Sequence, residues 1–200
     1  MGTAQAYETV KSFIEGSAHA DRFHRAKAFE AFAEMSPELS LETARQWFGR
    51  DQWHLYYAAG CVLANHATID DVPMLVESLQ RPEALGPDDF RSANVLRALA
   101  HCEGIGLIPE LDTVFRTAQS CYDRYRAAVA MAATAPDIFA EKYAFECLWD
   151  CHWNTRCLAC EMSDLSLPQT VDVLNEKAED RFESDDVREA AQQRLTENNA

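Results

Sequence analysis

The stretch Asp185-Asp186-Val187-Arg188-Glu189-Ala190-Ala191-Gln192-Gln193-Arg194-Leu195 decides the fold, because looser copies of it stand upstream. At Asp88 the pattern reads Asp-Asp-Phe-Arg-Ser-Ala-Asn-Val-Leu-Arg-Ala-Leu, and at Asp123 it reads Asp-Arg-Tyr-Arg-Ala-Ala-Val-Ala-Met-Ala. The arginines at 91, 126, 156 and 188 fall 35, 30 and 32 residues apart, about one helical hairpin each. Recurrence at that period is the mark of a stacked repeat architecture.

Helical periodicity is clearest in the second helix of each pair. Leu55, Ala58, Ala59, Val62 and Leu63 make one apolar face, and Phe90, Ala93, Leu96, Leu99 and Ala100 make another. The alanines let a neighbouring helix come close. Asp51, Asp88, Asp123 and Asp185 stand just ahead of these runs and read as caps that accept bonds from free amides and oppose the helix dipole. The first helices open on proline, at Pro37, Pro73, Pro109, Pro136 and Pro168, where the missing amide costs no helical bond.

These signals predict a helix near 4–15, a second near 20–34, and then pairs at 37–48 with 52–66, 71–80 with 88–102, 108–119 with 122–134, 137–149 with 151–163, and 167–180 with 185–197. A single hairpin cannot bury its own apolar face, whereas five stacked side by side share an elongated core. The Asp-x-x-Arg-x-Ala-Ala pattern with its later leucine, together with the proline-led first helix, resembles the HEAT-repeat family over most of 36–197. The match is strongest at Asp185–Ala191 and Asp123–Ala128 and weakest at Gln52–Leu63, where tyrosine replaces the arginine. The resemblance implies an all-α chain: a right-handed α-solenoid of about five HEAT-like hairpins after N-terminal helices at 1–35, the whole 1–200 forming one domain. It also implies that Asp88, Arg91, Asp123, Arg126, Asp185 and Arg188 are structural, bonding between neighbouring hairpins.

Composition sets bounds on function. The chain has 48% hydrophobic residues with only 7 Gly and 7 Pro, enough to bury a continuous core. No signal-peptide pattern and no apolar run of membrane-spanning length is present, which leads to the expectation of a soluble, cytoplasmic protein. Seven cysteines is an odd number without staple-like spacing, so reduced thiols are expected. Net charge is −15, with −1, −4, −4 and −6 in successive quarters of fifty residues, a gradient that repels nucleic acid. Arg22, Arg25, Lys27, Arg45 and Arg50 form only a small basic cluster among compensating acids.

Two constellations stand out from the repeat. Cys147, Cys151, Cys157 and Cys160, with His152 among them, have spacings that could put pairs of zinc ligands on one helical face. The repeat register instead aligns Cys157 and Cys160 with alanines of sister helices, which favours small core residues and no metal. The second constellation is aromatic: Trp53 with His54, and Trp153 with His152, sit near the starts of second helices, two and three residues after an aspartate. With Tyr56, Tyr122 and Asn154 they are candidate partner-binding anchors, since exposed Trp and Tyr dominate interfaces. The alternative is that the indoles cap the ends of the core.

No phosphate-binding glycine loop, His-Glu-x-x-His helix or Gly-x-Ser-x-Gly elbow is present, and His19, His24, His66 and His101 are isolated. The expectation is therefore a non-enzymatic protein without cofactor, binding a basic protein partner and neither nucleic acid nor membrane. Its most specific form is an immunity or inhibitor protein that blocks a bacterial, nuclease-type toxin domain. A general adaptor or assembly scaffold fits the same features, and a HEAT-like enzyme such as a bilin lyase or a base-excision glycosylase is the third possibility. No residue-by-residue motif carries the enzyme, and the net charge opposes the glycosylase.

Overall fold

A computed structural model describes residues 3–80 and 90–197, with the side chains of Phe90 and Arg91 left aside. Every regular element among the described residues is helical. The chain divides into two compact units, 1–102 and 103–200.

The first unit contains α1 (Ala4–Gly16), α2 (Arg22–Ala33), α3 (Pro37–Phe48), α4 (Trp53–His66), α5 (Val72–Leu79) and α6 (Phe90–Leu99). Thr3 caps α1 by accepting from the Ala6 amide, and Asp21 caps α2 by accepting from Phe23. Helix α4 packs on α3, on α2 and on α6, so it is the centre of this unit. Its predicted face is fully buried: Leu55, Ala58, Ala59, Val62 and Leu63. Phe48 stacked on Tyr56 at 4.6 Å and Phe32 tilted against Trp47 at 5.1 Å fill the space between neighbouring helices. Gly60 lets α4 and α6 approach closely: a Cβ there would lie 3.2 Å from the Asn94 Cβ, tighter than an ordinary van der Waals contact.

The second unit contains α7 (Pro109–Thr117), α8 (Cys121–Thr134), α9 (Pro136–Lys142), α10 (Ala144–Cys147), α11 (Trp153–Met162), α12 (Pro168–Glu179) and α13 (Asp185–Glu197). Helix α8 packs on α7 and α11, and α11 on α13. The buried alanines 127, 128, 130, 159 and 191 keep these contacts close. Gly104 and Gly106 adopt φ of 68° and 99°, left-handed conformations that glycine enters without steric cost, and their amides close the end of α8 by donating to the Ala133 and Thr134 carbonyls.

Two expectations are corrected. The segment 137–149 is two helices: Tyr143 leaves helical geometry at φ −120°, its ring packed against Phe115 and Phe139. Asp51, Asp123 and Asp185, in turn, are not the caps. Ser120 caps α8, accepting from the Tyr122 amide, and the Ser184 hydroxyl accepts from Val187 at the start of α13. Asp123 and Asp185 lie inside the first turn, where their charge still opposes the dipole. Asp51 lies ahead of α4, whose N-cap residue is Gln52. Asp88 lies outside the described residues.

Candidate functional site

Charged pairs frame the second unit. Arg124, Arg156 and Arg188 are each the fourth residue of their helix, α8, α11 and α13, evenly spaced from 124 to 156 to 188. Arg124 Nε donates to Asp150 Oδ2 at 2.5 Å, joining α8 to the turn before α11. Arg156 repeats this one step on: its Nε and Nη2 donate to Glu183, before α13, while Nη1 donates to the Asp150 carbonyl. Arg188 Nη1 in turn reaches the Glu183 carbonyl. The contacts between successive hairpins thus run through Arg124 and Arg156. Arg126 and Arg188 pair with Asp123 and Asp185 of their own helices, which corrects the expected partners. An analogous bridge in the first unit joins Arg45 to Asp71, whose carboxylate also closes a capping box with Thr68.

Burial alone pushes the carboxyls of Asp150 and Glu183 up. The hydrogen bonds from Arg124 and Arg156, with those from the amides of His152 and Ser184, outweigh it and hold both below their ordinary values. Both turns are therefore anionic and fixed in place at neutral pH.

The turns these pairs fix carry exposed aromatics. Trp149 immediately precedes Asp150 and is 60% exposed, while Phe182 immediately precedes Glu183 and is 82% exposed. Lys177 links them, with Nζ 5.2 Å from the Trp149 ring and 3.4 Å from Glu183. Beside them the His152 ring meets Tyr122 edge-on at 4.8 Å, stacks on Tyr125 at 5.1 Å and lies parallel to Trp153. Tyr122 and Trp153 are exposed, His152 is buried, and Asn154 is half-buried. His152 Nδ1 and Thr155 Oγ1 are buried with no hydrogen-bond partner among the described residues. Tyr122, Trp149, Trp153 and Phe182 therefore occupy one edge of the unit, where the turns lead into α8, α11 and α13.

The other expected anchors lie in the first unit and differ among themselves. Trp53 is exposed with the Arg25 guanidinium 4.8 Å over its ring. His54 and Tyr56 are buried, and the Tyr56 hydroxyl bonds the buried Ser78 hydroxyl. Trp149 and Phe182 were not among the sequence candidates. The available signal was an aromatic residue followed by an acid just before a second helix, occurring twice.

The cysteine constellation does not assemble. Cys147 and Cys160 are buried, Cys157 is half-buried and Cys151 is exposed, where it accepts from Arg124 Nη2 at 3.2 Å. Burial pushes the thiols of Cys147 and Cys160 up to about 12 and that of Cys157 to about 11. Among the described residues no three His, Cys, Asp or Glu side chains converge as metal ligands. No helix among them is long and apolar enough to cross a membrane.

No protein-family model, curated protein or solved structure matches this chain.

Proposed function

We propose that this chain is a HEAT-like α-solenoid that acts as a protein-binding module, receiving a basic protein partner on the aromatic edge of its second unit. The observation that carries the reading is the group Tyr122, Trp149, Trp153 and Phe182, exposed together on one edge. Large aromatic side chains held at a surface are the residue types that anchor protein interfaces. The unit that bears them has 9 Lys and Arg against 19 Asp and Glu, a net charge of −10 for residues 103–200. Such a field favours approach of a basic surface and disfavours nucleic acid. The fixed turns help as well, since anchors already held in position lose less conformational freedom on binding.

The specific form we favour is inhibition of a nuclease-type toxin in the cytoplasm, where a basic, phosphate-gripping cleft meets an acidic, aromatic lid. The reading assigns no catalysis to this chain. Its test is recovery of the cross-linked partner from the native cell, followed by kinetics with the purified pair. The expected partner is basic and toxic when expressed alone, with an association rate that falls as salt rises. Trp149→Ala with Phe182→Ala should weaken the complex by about 2 kcal/mol or more while leaving Tm unchanged. A salt-independent rate with undiminished binding by the double variant would overturn the proposal.

A further inference from the structure

Helix α4 is enclosed by α2, α3 and α6 except along one strip. Apart from the terminal His66, its only residues with access to solvent are Trp53, Tyr57, Cys61 and Asn65, which return at every fourth position. Residues at that spacing share one helical face, so the strip runs the length of the helix, about 18 Å from Trp53 to Asn65 at 1.5 Å per residue. It floors a cleft of about 840 Å³ walled by α2 and α6.

Contacts along the strip set the register of both walls. Arg25 lies over the Trp53 ring at 4.8 Å, Phe29 meets Tyr57 at 5.3 Å, and Asn65 Nδ2 donates to the Ala33 carbonyl at 3.3 Å, so α2 runs parallel to α4. On the other side Asn94 Nδ2 donates weakly to Cys61 Sγ at 3.6 Å and Arg97 Nη2 donates to Asn65 Oδ1 at 3.3 Å, so α6 runs the same way. The polar groups are thus strung along the groove and not gathered at one point. Arg22 and Arg25 stand at the Trp53 end, the Tyr57 hydroxyl and Asn94 in the middle, and Glu34 and Arg97, on different walls, at the Asn65 end. Glu30 on the α2 wall is engaged by Lys27 at 2.6 Å. The Tyr57 hydroxyl and Asn94 Oδ1 have no hydrogen-bond partner among the described residues.

We propose that this groove binds an extended segment of a partner protein, about five or six residues long, with an Asp or Glu at the Trp53 end. The length is that of the strip divided by the rise of an extended chain. Such a chain leaves peptide N–H and C=O groups that need partners, and Tyr57 and Asn94 offer them along the way. A helical occupant bonds its own peptide groups and would bury those two side chains unpaired. The acid is placed by Arg22 and Arg25, one turn apart on α2 and without a carboxylate partner among the described residues; Arg25 donates to the Ser17 and Ala18 carbonyls. The Asn65 end carries both signs and selects neither. A nucleic-acid backbone, negative throughout, would meet Glu30 and Glu34 along the α2 wall. This surface belongs to the first unit and does not depend on the aromatic edge of the second.

The experiment is selection of random hexapeptides displayed on phage against the full chain, followed by fluorescence anisotropy with the selected peptides. They should share an Asp or Glu at one end and bind with a Kd of about 100 μM or tighter. Trp53→Ala should weaken binding by about tenfold, and Tyr57→Phe, which removes only the hydroxyl, by about fivefold. Arg22→Glu, on an exposed side chain, should abolish the acidic preference at that end. Trp149→Ala with Phe182→Ala, in the second unit, should leave the affinity unchanged. The proposal is overturned if no hexapeptide binds within that limit, or if the selected sequences lack the acidic end. It is equally overturned if Arg22→Glu selects the same sequences, if the second-unit variant loses as much affinity as Trp53→Ala, or if circular dichroism shows the bound peptide to be helical.

Discussion

Glu183→Gln isolates the charge at the junction of α11, α12 and α13. The carboxylate accepts from Arg156 Nε at 2.9 Å and from Arg156 Nη2, is approached by Lys177 at 3.4 Å, and accepts from its neighbour's amide at Ser184. Side-chain exposure is 17% for Arg156 and 8% for Glu183, so the pair is mostly withdrawn from water. Removing one partner of a fully buried pair costs about 3–5 kcal/mol, and a fully exposed pair is worth about 0–1 kcal/mol. Residual solvent access, and the Asp150 carbonyl that still receives Arg156 Nη1, place this substitution at about 2–3 kcal/mol. The assay is urea unfolding followed by circular dichroism, with the shift in midpoint read at constant slope. The sign with pH follows from a folded-state pKa held below the ordinary 4.5. The stabilisation is full above the unfolded value and is lost as pH falls through the folded one, where the protonated wild-type side chain comes to resemble the glutamine. The gap between wild type and variant should therefore close in acid. A gap under about 0.5 kcal/mol at pH 7, or one independent of pH, would refute the reasoning.

Gly60→Ala should destabilise the first unit by about 1 kcal/mol even though alanine is the better helix former, because the new Cβ would sit 3.2 Å from Asn94 Cβ and press α4 away from α6; thermal unfolding measures it. Alkylation with iodoacetamide at pH 8, read by mass spectrometry, should label the exposed Cys151 first. Cys147 and Cys160, with thiols pushed up to about 12, are thiolate in only roughly one molecule in ten thousand at that pH and should react only on unfolding. Tyr56→Phe strands the buried Ser78 hydroxyl and should cost about 1–2 kcal/mol in the same unfolding assay.

The helices were legible in the sequence because their limits are local. Proline at 37, 109, 136 and 168 opens a helix by its fixed φ and absent amide, and the helices start at those residues. Buried alanines at helical spacing identify the packed faces, as in Ala127, Ala128 and Met131. Register between hairpins was less legible. Asp123-Arg124-Tyr125-Arg126 offers two arginines, and matching by motif selects Arg126, which bonds within its own turn. The one that crosses is Arg124, decided by which side of α8 faces the turn at Asp150, a long-range fact that local pattern does not contain. The same limit explains the candidate anchors. Trp53-His54 and His152-Trp153 each have the indole exposed and the imidazole buried, for different reasons: Trp53 and His54 are neighbours in α4 and point about 100° apart, whereas His152 precedes α11 in extended geometry with its ring packed on Tyr122 and Tyr125. Trp149 and Phe182 are not legible in the sequence because exposure of a turn residue depends on what holds the turn. Here the holding groups are the acids one residue later, each bonded to an arginine about a hairpin upstream, at Arg124 and Arg156. The bonds of Arg124 and Arg156 therefore have a second consequence: by fixing Asp150 and Glu183 they also fix the turns that carry Trp149 and Phe182, so that joining successive helical hairpins and presenting these aromatics depend on the same bonds.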